Sequence, residues 1–154
     1  MAQTFQVTRS VEISASPEEV FPYLNDLHLW QQWSPWEEVD PDLRRCYSDP
    51  ANGVGATYAW EGNRKAGKGE MEITHSEVGR VSLDLRFEKP FHADNQVAFT
   101  LAPTAVGTLV TWTMTGTRGR VMALVNKVAD FDAMIGRDFE KGLGRLKRAV
   151  ETRL

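Results

Sequence analysis

The chain has 154 residues, the size of one ordinary domain, which hides roughly 70% of its unfolded surface on folding. It is 42% hydrophobic and 25% charged, with a net charge of −3, and this composition excludes a disordered chain and a membrane protein. No apolar stretch approaches the roughly 18 residues of a spanning helix, and no secretory signal is visible, so we expect a cytoplasmic protein. The single cysteine, Cys46, excludes an internal disulfide and a CxxC redox or zinc pair.

Basic side chains are concentrated toward the end of the chain. Residues 118–154 carry a charge balance of +4, whereas residues 1–117 carry −7. The basic residues alternate with acids at helical spacing, and no basic strip interleaved with aromatic residues occurs. This arrangement is typical of a solvated helix face and argues against nucleic acid or a membrane as the partner.

The N-terminal segment predicts a strand followed by two short helices. Residues 5–13 alternate between apolar and polar side chains, as a half-buried strand does. Residues 16–19 (SPEE) form a capping box with proline at the first helical position, which predicts a helix start. Leu27, Trp30 and Trp33 indicate a second short helix, which Ser34-Pro35 ends.

Strands dominate the middle of the chain, and the end is helical. The predicted strands cover residues 43–48, 54–61, 70–78, 81–88, 97–101 and 110–114. Apolar residues then recur three or four positions apart from Val121 to Val150, which predicts one long helix. Glycines at 136, 142 and 144 weaken a helix, so we expect them to mark a close approach to the sheet or room for a ligand.

This order of elements predicts an α+β fold in a single domain covering residues 1–154. Strands joined by short turns form an antiparallel sheet, here of about seven strands. Only one helix is long enough to cover the apolar face of that sheet. We therefore expect a curved sheet wrapped around the C-terminal helix.

Five segments together match a known family pattern: residues 16–21 (SPEEVF), 30–36 (WQQWSPW), 88–91 (EKPF), 107–112 (GTLVTW) and 138–143 (DFEKGL). They resemble the START-like helix-grip (SRPBCC) superfamily, and most closely its polyketide cyclase/dehydrase-like branch of small bacterial proteins, and the resemblance spans essentially the whole chain. It implies a curved antiparallel sheet that grips the C-terminal helix, with an apolar cavity between them. The two short helices after the first strand would close one end of that cavity.

The chain is rich in large aromatic residues, with five Trp, three Tyr and seven Phe. The residues alone favour a filled core, because each aromatic side chain buries a large area. The resemblance reverses this preference, since a sheet curled around one helix leaves concave space for a hydrophobic or aromatic small molecule. The expected ligand-binding residues are Trp33, Tyr58, Trp60, Met71, Ile73, His75, Leu85, Phe99, Leu101, Trp112, Met114, Ile135, Phe139 and Leu143.

Evidence for catalysis is weak in the sequence. His75 falls on an inward phase of its strand and has a side chain suited to acid–base work, although a hydrogen-bonded interior histidine is the simpler interpretation. Tyr58 and Arg64 are further candidates for acid, base or orienting roles. Cys46 is interpreted as an idle thiol, and Glu37 as a solvated loop acid beside Glu38.

Two other kinds of site are rejected. Residues 62–68 read GxxxxGK, but Gly69 stands where a phosphate loop needs Ser or Thr, and a strand rather than a helix follows. The three histidines and one cysteine show no metal-ligand spacing. We therefore expect no metal and no cofactor.

Three functions remain open at this point, and the fold cannot choose between them. We rank first a module that binds a hydrophobic small molecule without obligatory catalysis. The second is a cyclase- or dehydratase-type enzyme acting on a polyketide-like or other carbonyl substrate. The third is an interaction module that docks a partner or a membrane through the lid formed by the two short helices and through the basic face of the C-terminal helix. The oligomeric state is left open.

Overall fold

The computed structural model describes residues 3–37, 39–89, 92–118 and 131–153. It confirms the predicted α+β architecture. The elements in chain order are β1 (Gln3–Ile13), helix α1 (Pro17–Asn25), a 3₁₀ helix (Leu27–Gln32), β2 (Arg44–Tyr47), β3 (Thr57–Glu61), β4 (Lys68–Glu77), β5 (Arg80–Lys89), β6 (Ala93–Pro103), β7 (Thr108–Arg118) and the C-terminal helix (Phe131–Thr152). The first part predicted for the long helix, Val121 to Val128, lies outside the described residues.

The strands form one curved antiparallel sheet in the order β1-β7-β6-β5-β4-β3-β2. Every strand from β2 to β7 pairs with its neighbour in the chain, and β1 closes the other edge by pairing with β7 along its whole length. The long inner strands alternate buried and exposed side chains, because one face of the sheet covers the interior and the other meets water.

Local capping explains where the two short helices begin. The amide of Glu19 donates to the Ser16 hydroxyl at 3.3 Å, and the amide of Ser16 donates to the Glu19 carboxylate at 3.1 Å. The carboxylate of Asp26 accepts from the amide of His28 at 3.0 Å and so caps the 3₁₀ helix. These contacts fix the turn that carries Trp30 and Trp33 under the sheet.

A bulge in β4 corrects the orientation predicted for His75. Ile73 pairs with Leu83 and His75 with Ser82, so Thr74 is an extra residue that breaks the alternation. Ile73 is fully buried, whereas the side chain of His75 is 46% exposed and lies 3.5 Å from Glu77. The inward orientation of His75 was therefore wrong, because strict alternation does not survive an inserted residue.

The C-terminal helix lies against the concave face through its apolar stripe, which includes the buried residues Phe139, Leu143, Leu146 and Val150. Gly142 marks a close approach, since a Cβ there would stand 2.8 Å from Pro35 and 3.1 Å from the Trp112 ring. Gly136 similarly leaves room for the guanidinium of Arg9, whereas no described residue outside the backbone of the helix comes within 4 Å of a Cβ placed at Gly144. None of the described helices is long and apolar enough to cross a membrane.

A candidate binding cavity between the sheet and the C-terminal helix

A cavity of about 400 Å³ opens between the concave face of the sheet and the C-terminal helix. Strands β3 to β7 supply one wall, and the helix supplies the opposite wall through Ile135. The loop after the 3₁₀ helix and the β3–β4 hairpin form the rim. The apolar and aromatic residues that line the cavity are Phe5, Trp30, Trp36, Val39, Leu43, Tyr58, Trp60, Ala66, Met71, Leu85, Phe87, Ala93, Met114 and Ile135.

A row of aromatic rings runs along the wall formed by β3 and β5. Tyr58 stacks on Tyr47 with the ring centroids 4.9 Å apart, and Trp60 follows 6.0 Å from Tyr58. Phe87 meets Trp60 edge to face at 5.6 Å. The indole N–H of Trp60 donates to the Ala66 carbonyl at 2.9 Å, so the hairpin holds this ring in place. These contacts make the wall rigid and aromatic.

Trp36 links the rim loop to the C-terminal helix. Its indole N–H donates to the Asp138 carboxylate at 3.2 Å, and its ring meets Trp112 and Phe139 edge to face. The side of Trp36 that faces away from these rings remains in solvent, with 37% of the residue exposed. A large amphipathic side chain therefore stands at the entrance of the cavity.

Glu37 is held at the rim by Arg45 of β2. The two side chains are 2.6 Å apart and only 12% and 25% exposed, respectively. Burial would lower the pKa of Arg45, but its hydrogen bond and charge interaction with Glu37 outweigh that effect and raise the pKa. The interpretation of Glu37 as a solvated loop acid was wrong, because Arg45, eight residues further along the chain on β2, pairs with it and leaves its side chain 12% exposed.

Tyr58 brings a protonated hydroxyl to the cavity wall. Burial raises the pKa of Tyr58 far above the usual value of a phenol, and the negative charge of Glu37 raises it further. Burial also raises the pKa of Tyr47, whose hydroxyl accepts from the Gln31 amide at 2.7 Å. The Tyr58 phenol is therefore a neutral hydrogen-bonding group at physiological pH.

Asn95 is a buried polar residue of the cavity that was not among the expected ligand-binding residues; Phe5 and Phe87 also line the cavity and were not among them. Asn95 lies on β6 opposite Leu85 of β5 and Gly116 of β7, and only 5% of it is exposed. The side-chain amide of Asn95 makes no hydrogen bond to any residue that the structure describes. The alternation along β6 could have predicted this position, because Asn95 falls on the same face of the strand as the apolar Val97 and Phe99.

Comparison with known proteins identifies the family. The family model described as "Polyketide cyclase / dehydrase and lipid transport" matches residues 4–151. The chain belongs to this family. The resemblance seen in the sequence is confirmed, and no curated protein matches the chain.

Solved structures share this fold at low sequence identity. An uncharacterised protein from Rhizobium leguminosarum has a TM-score of 0.70 at 12% identity, with 99% of this chain and 97% of that chain covered. The Aha1 dimer from Colwellia psychrerythraea has a TM-score of 0.67 at 20% identity, with 96% of each chain covered. DynU16, from the dynemicin biosynthetic locus, has a TM-score of 0.65 at 22% identity; 96% of this chain matches 47% of DynU16. At these identities the likeness shows the fold alone.

The expected ligand-binding residues divide into two groups in the structure. Tyr58, Trp60, Met71, Leu85, Met114 and Ile135 line the cavity. The residues that are absent from that wall and belong to the packed part of the interior are Trp33, Ile73, Phe99, Leu101, Trp112, Phe139 and Leu143. Arg64 and His75 are exposed and lie outside the cavity, so Tyr58 is the catalytic candidate that the fold brings to it.

A second depression lies on the surface beside the rim. It is an open groove of about 570 Å³ between the 3₁₀ helix and the C-terminal helix, where Arg145, Arg148 and Arg153 face solvent-exposed glutamines. Two of these guanidinium groups bond to the protein itself: Arg145 donates to the Ser34 carbonyl at 3.4 Å and Arg153 to the Tyr23 hydroxyl at 3.3 Å. Among the described residues, no group of three or more His, Cys, Asp or Glu side chains is arranged to hold a metal ion.

Proposed function

We propose that the protein binds a hydrophobic or aromatic small molecule in the cavity between the sheet and the C-terminal helix. The observation that carries this proposal is the cavity itself, about 400 Å³ in volume, with a predominantly apolar lining. Small-molecule sites of this kind enclose roughly 300–1,000 Å³ and combine apolar walls with a few polar groups that orient the ligand.

The aromatic wall suits a flat ligand. Tyr58 and Trp60 stack nearly parallel, at 28° to each other, and Phe87 stands edge-on beside Trp60. A planar ring laid on this row gains both apolar burial and favourable ring contacts. Met71 of β4 and Met114 of β7 also belong to the wall that the sheet provides, and their flexible side chains adapt to ligands of different shape.

A fluorescence titration with the neutral probe N-phenyl-1-naphthylamine tests this proposal. We expect the probe to brighten in the wild-type protein and the substitution Met114→Trp to weaken its binding at least tenfold, because the indole fills the cavity. The matched control is Leu109→Trp, which adds the same side chain to β7 at a residue that is 38% exposed. This control should bind the probe as the wild type does.

Two results would overturn the proposal. One is a wild-type protein that leaves the probe fluorescence unchanged at saturating protein. The other is a Met114→Trp variant, folded by circular dichroism, that binds the probe as tightly as Leu109→Trp. Native mass spectrometry of the purified protein then identifies any molecule that the cavity retains.

A second candidate function is cyclase- or dehydratase-type chemistry on a carbonyl substrate in the same cavity. Tyr58 supports it, because its buried phenol lines the cavity, is protonated at physiological pH as tyrosines ordinarily are, and can donate a hydrogen bond to a carbonyl oxygen. The test is incubation with a poly-β-ketoacyl thioester, in which a methylene carbon of the chain attacks a distant ketone and the ketone oxygen leaves as one water, with mass spectrometry to detect that loss. Turnover that Tyr58→Phe abolishes, while probe binding persists, would establish the enzyme over the simple binder.

A further inference from the structure

We infer that Asn95 orients the ligand, and that the ligand carries a neutral hydrogen-bonding group, such as a ketone or a phenolic hydroxyl, on an otherwise apolar body. This inference rests on the proposed function, since it concerns the same cavity. It goes further by naming the residue that recognises the ligand and the kind of functional group that this residue selects.

The position of Asn95 carries the first step. The side chain lies on the inward face of β6, is 95% buried, and lines the cavity between Leu85 and Gly116. Neither neighbour offers a polar side chain, and the amide has no side-chain partner among the residues that the structure describes. Because a buried amide is normally hydrogen-bonded, a ligand group inside the cavity is the partner that this geometry accommodates.

Gly116 provides the second step, because it makes room for the amide. A Cβ at position 116 would overlap Oδ1 of Asn95 and come within 3.0 Å of the Phe5 ring. The strand therefore has a glycine where the alternation of Val110, Trp112 and Met114 predicts a side chain facing inward. The pair of Asn95 and Gly116 sets one polar group into an apolar surface at a defined place.

The charges around the cavity provide the third step. The ionisable side chains that reach the lining are Glu37, Lys65, His92, Asp132 and Asp138, and the Glu37 carboxylate is already paired with Arg45. A charged ligand group of either sign would lose its hydration beside Asn95, whose amide carries no charge to compensate that loss. An amide offers one acceptor and two donor hydrogens without charge, so it complements a neutral carbonyl or hydroxyl group.

Competition against bound N-phenyl-1-naphthylamine tests the inference with three ligands of one shape: 2-acetylnaphthalene, 2-ethylnaphthalene and 2-naphthoate. In the wild type we expect the acetyl compound to bind most tightly and the anionic naphthoate most weakly. Asn95→Leu should weaken binding of the acetyl compound roughly 3- to 10-fold, the usual worth of one hydrogen bond. The same change should leave the ethyl compound unchanged or bound more tightly.

Controls separate this inference from the proposed function. Gln96→Leu changes the next residue of β6, which is exposed and should leave all three affinities unaltered. Gly116→Ala pushes the amide aside and should reproduce the selective loss. If the neutral probe binds but Asn95→Leu leaves the ratio of acetyl to ethyl affinity as in the wild type, the role of Asn95 is overturned and the cavity function stands. If no probe binds the wild type, both are overturned.

Discussion

The interior of this protein has a packed end and a hollow end, built from the same kinds of side chain. At the packed end, Trp112 stacks on Phe139 at 3.9 Å, and Phe99 lies 5.0 Å from Trp112. Trp33 meets both Phe99 and Trp112 edge to face. At the hollow end, Tyr58 and Trp60 form a row that faces open space instead of another ring layer.

The difference shows that aromatic content does not decide between a core and a pocket. The 3₁₀ helix and its C-cap residue Trp33 bring the rings of Trp30 and Trp33 against Phe99 of β6 and Trp112 of β7, and these rings fill the concave face there. No helix of the described chain inserts an equivalent layer against β3 to β5. What matters is whether a second element brings side chains of matching size to the same part of the sheet.

The largest expected effect comes from two leucines on the same strand and the same face. Leu83 is 1% exposed and packed, whereas Leu85 is 6% exposed and lines the cavity. We expect Leu83→Ala to lower the free energy of unfolding by about 2–5 kcal/mol, because it leaves a void in close-packed surroundings. Leu85→Ala should cost roughly half as much, since the cavity already removes part of its contacts.

Urea denaturation of both variants measures this difference directly. Equal losses of stability would show that the wall around Leu85 is packed as tightly as the core. Probe binding gives an independent readout, because enlarging the cavity by Leu85→Ala changes probe affinity while Leu83→Ala should leave it near the wild-type value. That contrast distinguishes a binding surface from a core.

The second prediction concerns neighbouring arginines on β2. Arg45 bonds the half-buried Glu37 at 2.6 Å, whereas Arg44 bonds the exposed Glu61 at 2.8 Å. Arg45→Gln should lower the free energy of unfolding by about 1–3 kcal/mol, because it leaves the Glu37 carboxylate largely unpaired. Arg44→Gln should cost under about 0.5 kcal/mol, as exposed ion pairs do.

Thermal and urea denaturation of the two variants, at low and high salt, check the second prediction. The ion pair of Arg45 also ties the rim loop to the sheet edge, so its loss should change the rate of probe entry at the hollow end. If Arg44→Gln and Arg45→Gln proved equally harmless, Glu37 would be a solvated residue and the rim would be held by Trp36 and Asp138 alone.

The fold was largely predictable because it depends on regular patterns. The alternation in β5 and β7 gave the strand faces, the capping residues at 16–19 placed helix α1, and the spacing of Phe139, Leu143 and Leu146 gave the apolar stripe of the C-terminal helix. Each of these signals acts over a few residues. Antiparallel pairing through short turns then fixed the order of the strands from β2 to β7.

The site was less predictable because it depends on contacts and irregularities that the alternation of apolar and polar residues does not encode. The inserted residue in β4 turned His75 outward, and no local pattern announces a bulge. Glu37 is buried only because Arg45 lies opposite it. Asn95 stands out in the sequence as a polar residue at an inward position of a strand. That observation indicates a ligand contact only once the cavity beside Asn95 is known. Which part of the concave face stays open is set by where Trp33 inserts.

The third prediction uses pH to probe the wall at Tyr58. Burial raises the pKa of this phenol in the folded state, so its contribution to stability is present below the ordinary tyrosine pKa and is lost as pH rises above it. Between pH 9 and pH 11, the wild type should lose about 1.4 kcal/mol more stability than Tyr58→Phe, because the unfolded tyrosine ionises near pH 10 and the folded one does not.

Urea denaturation at several pH values, with circular dichroism to confirm that Tyr58→Phe is folded, provides the measurement. Parallel stability profiles for the wild type and the variant would mean that Tyr58 ionises as easily in the folded protein as in the unfolded one. Such a result would place the phenol in water and remove it from the proposed cavity wall.

The smallest effect, and the one that best locates the packed end, comes from two glycines of the C-terminal helix. Apart from the backbone of the helix itself, no residue that the structure describes lies within 4 Å of a Cβ built on Gly144. Gly144→Ala should therefore raise the free energy of unfolding by up to about 1 kcal/mol through helix propensity. A Cβ on Gly142 would stand 2.8 Å from Pro35 and 3.1 Å from Trp112. At Gly142 the steric conflict should outweigh the gain in helix propensity, so Gly142→Ala should lower the free energy of unfolding by about 1 kcal/mol.

The opposite signs are the informative result, because the two positions share one helix and one substitution. Helix propensity alone predicts that both alanines stabilise the protein, so a gain at Gly142 equal to that at Gly144 would mean that the helix stands off from Trp112. The packed end would then be as loosely filled as the hollow end. The opposite result is a loss of stability in Gly142→Ala that the additional change Pro35→Ala relieves. It would show that the helix is packed tightly against Pro35 and the sheet at this end, so that the open space lies at the other end, beside Ile135.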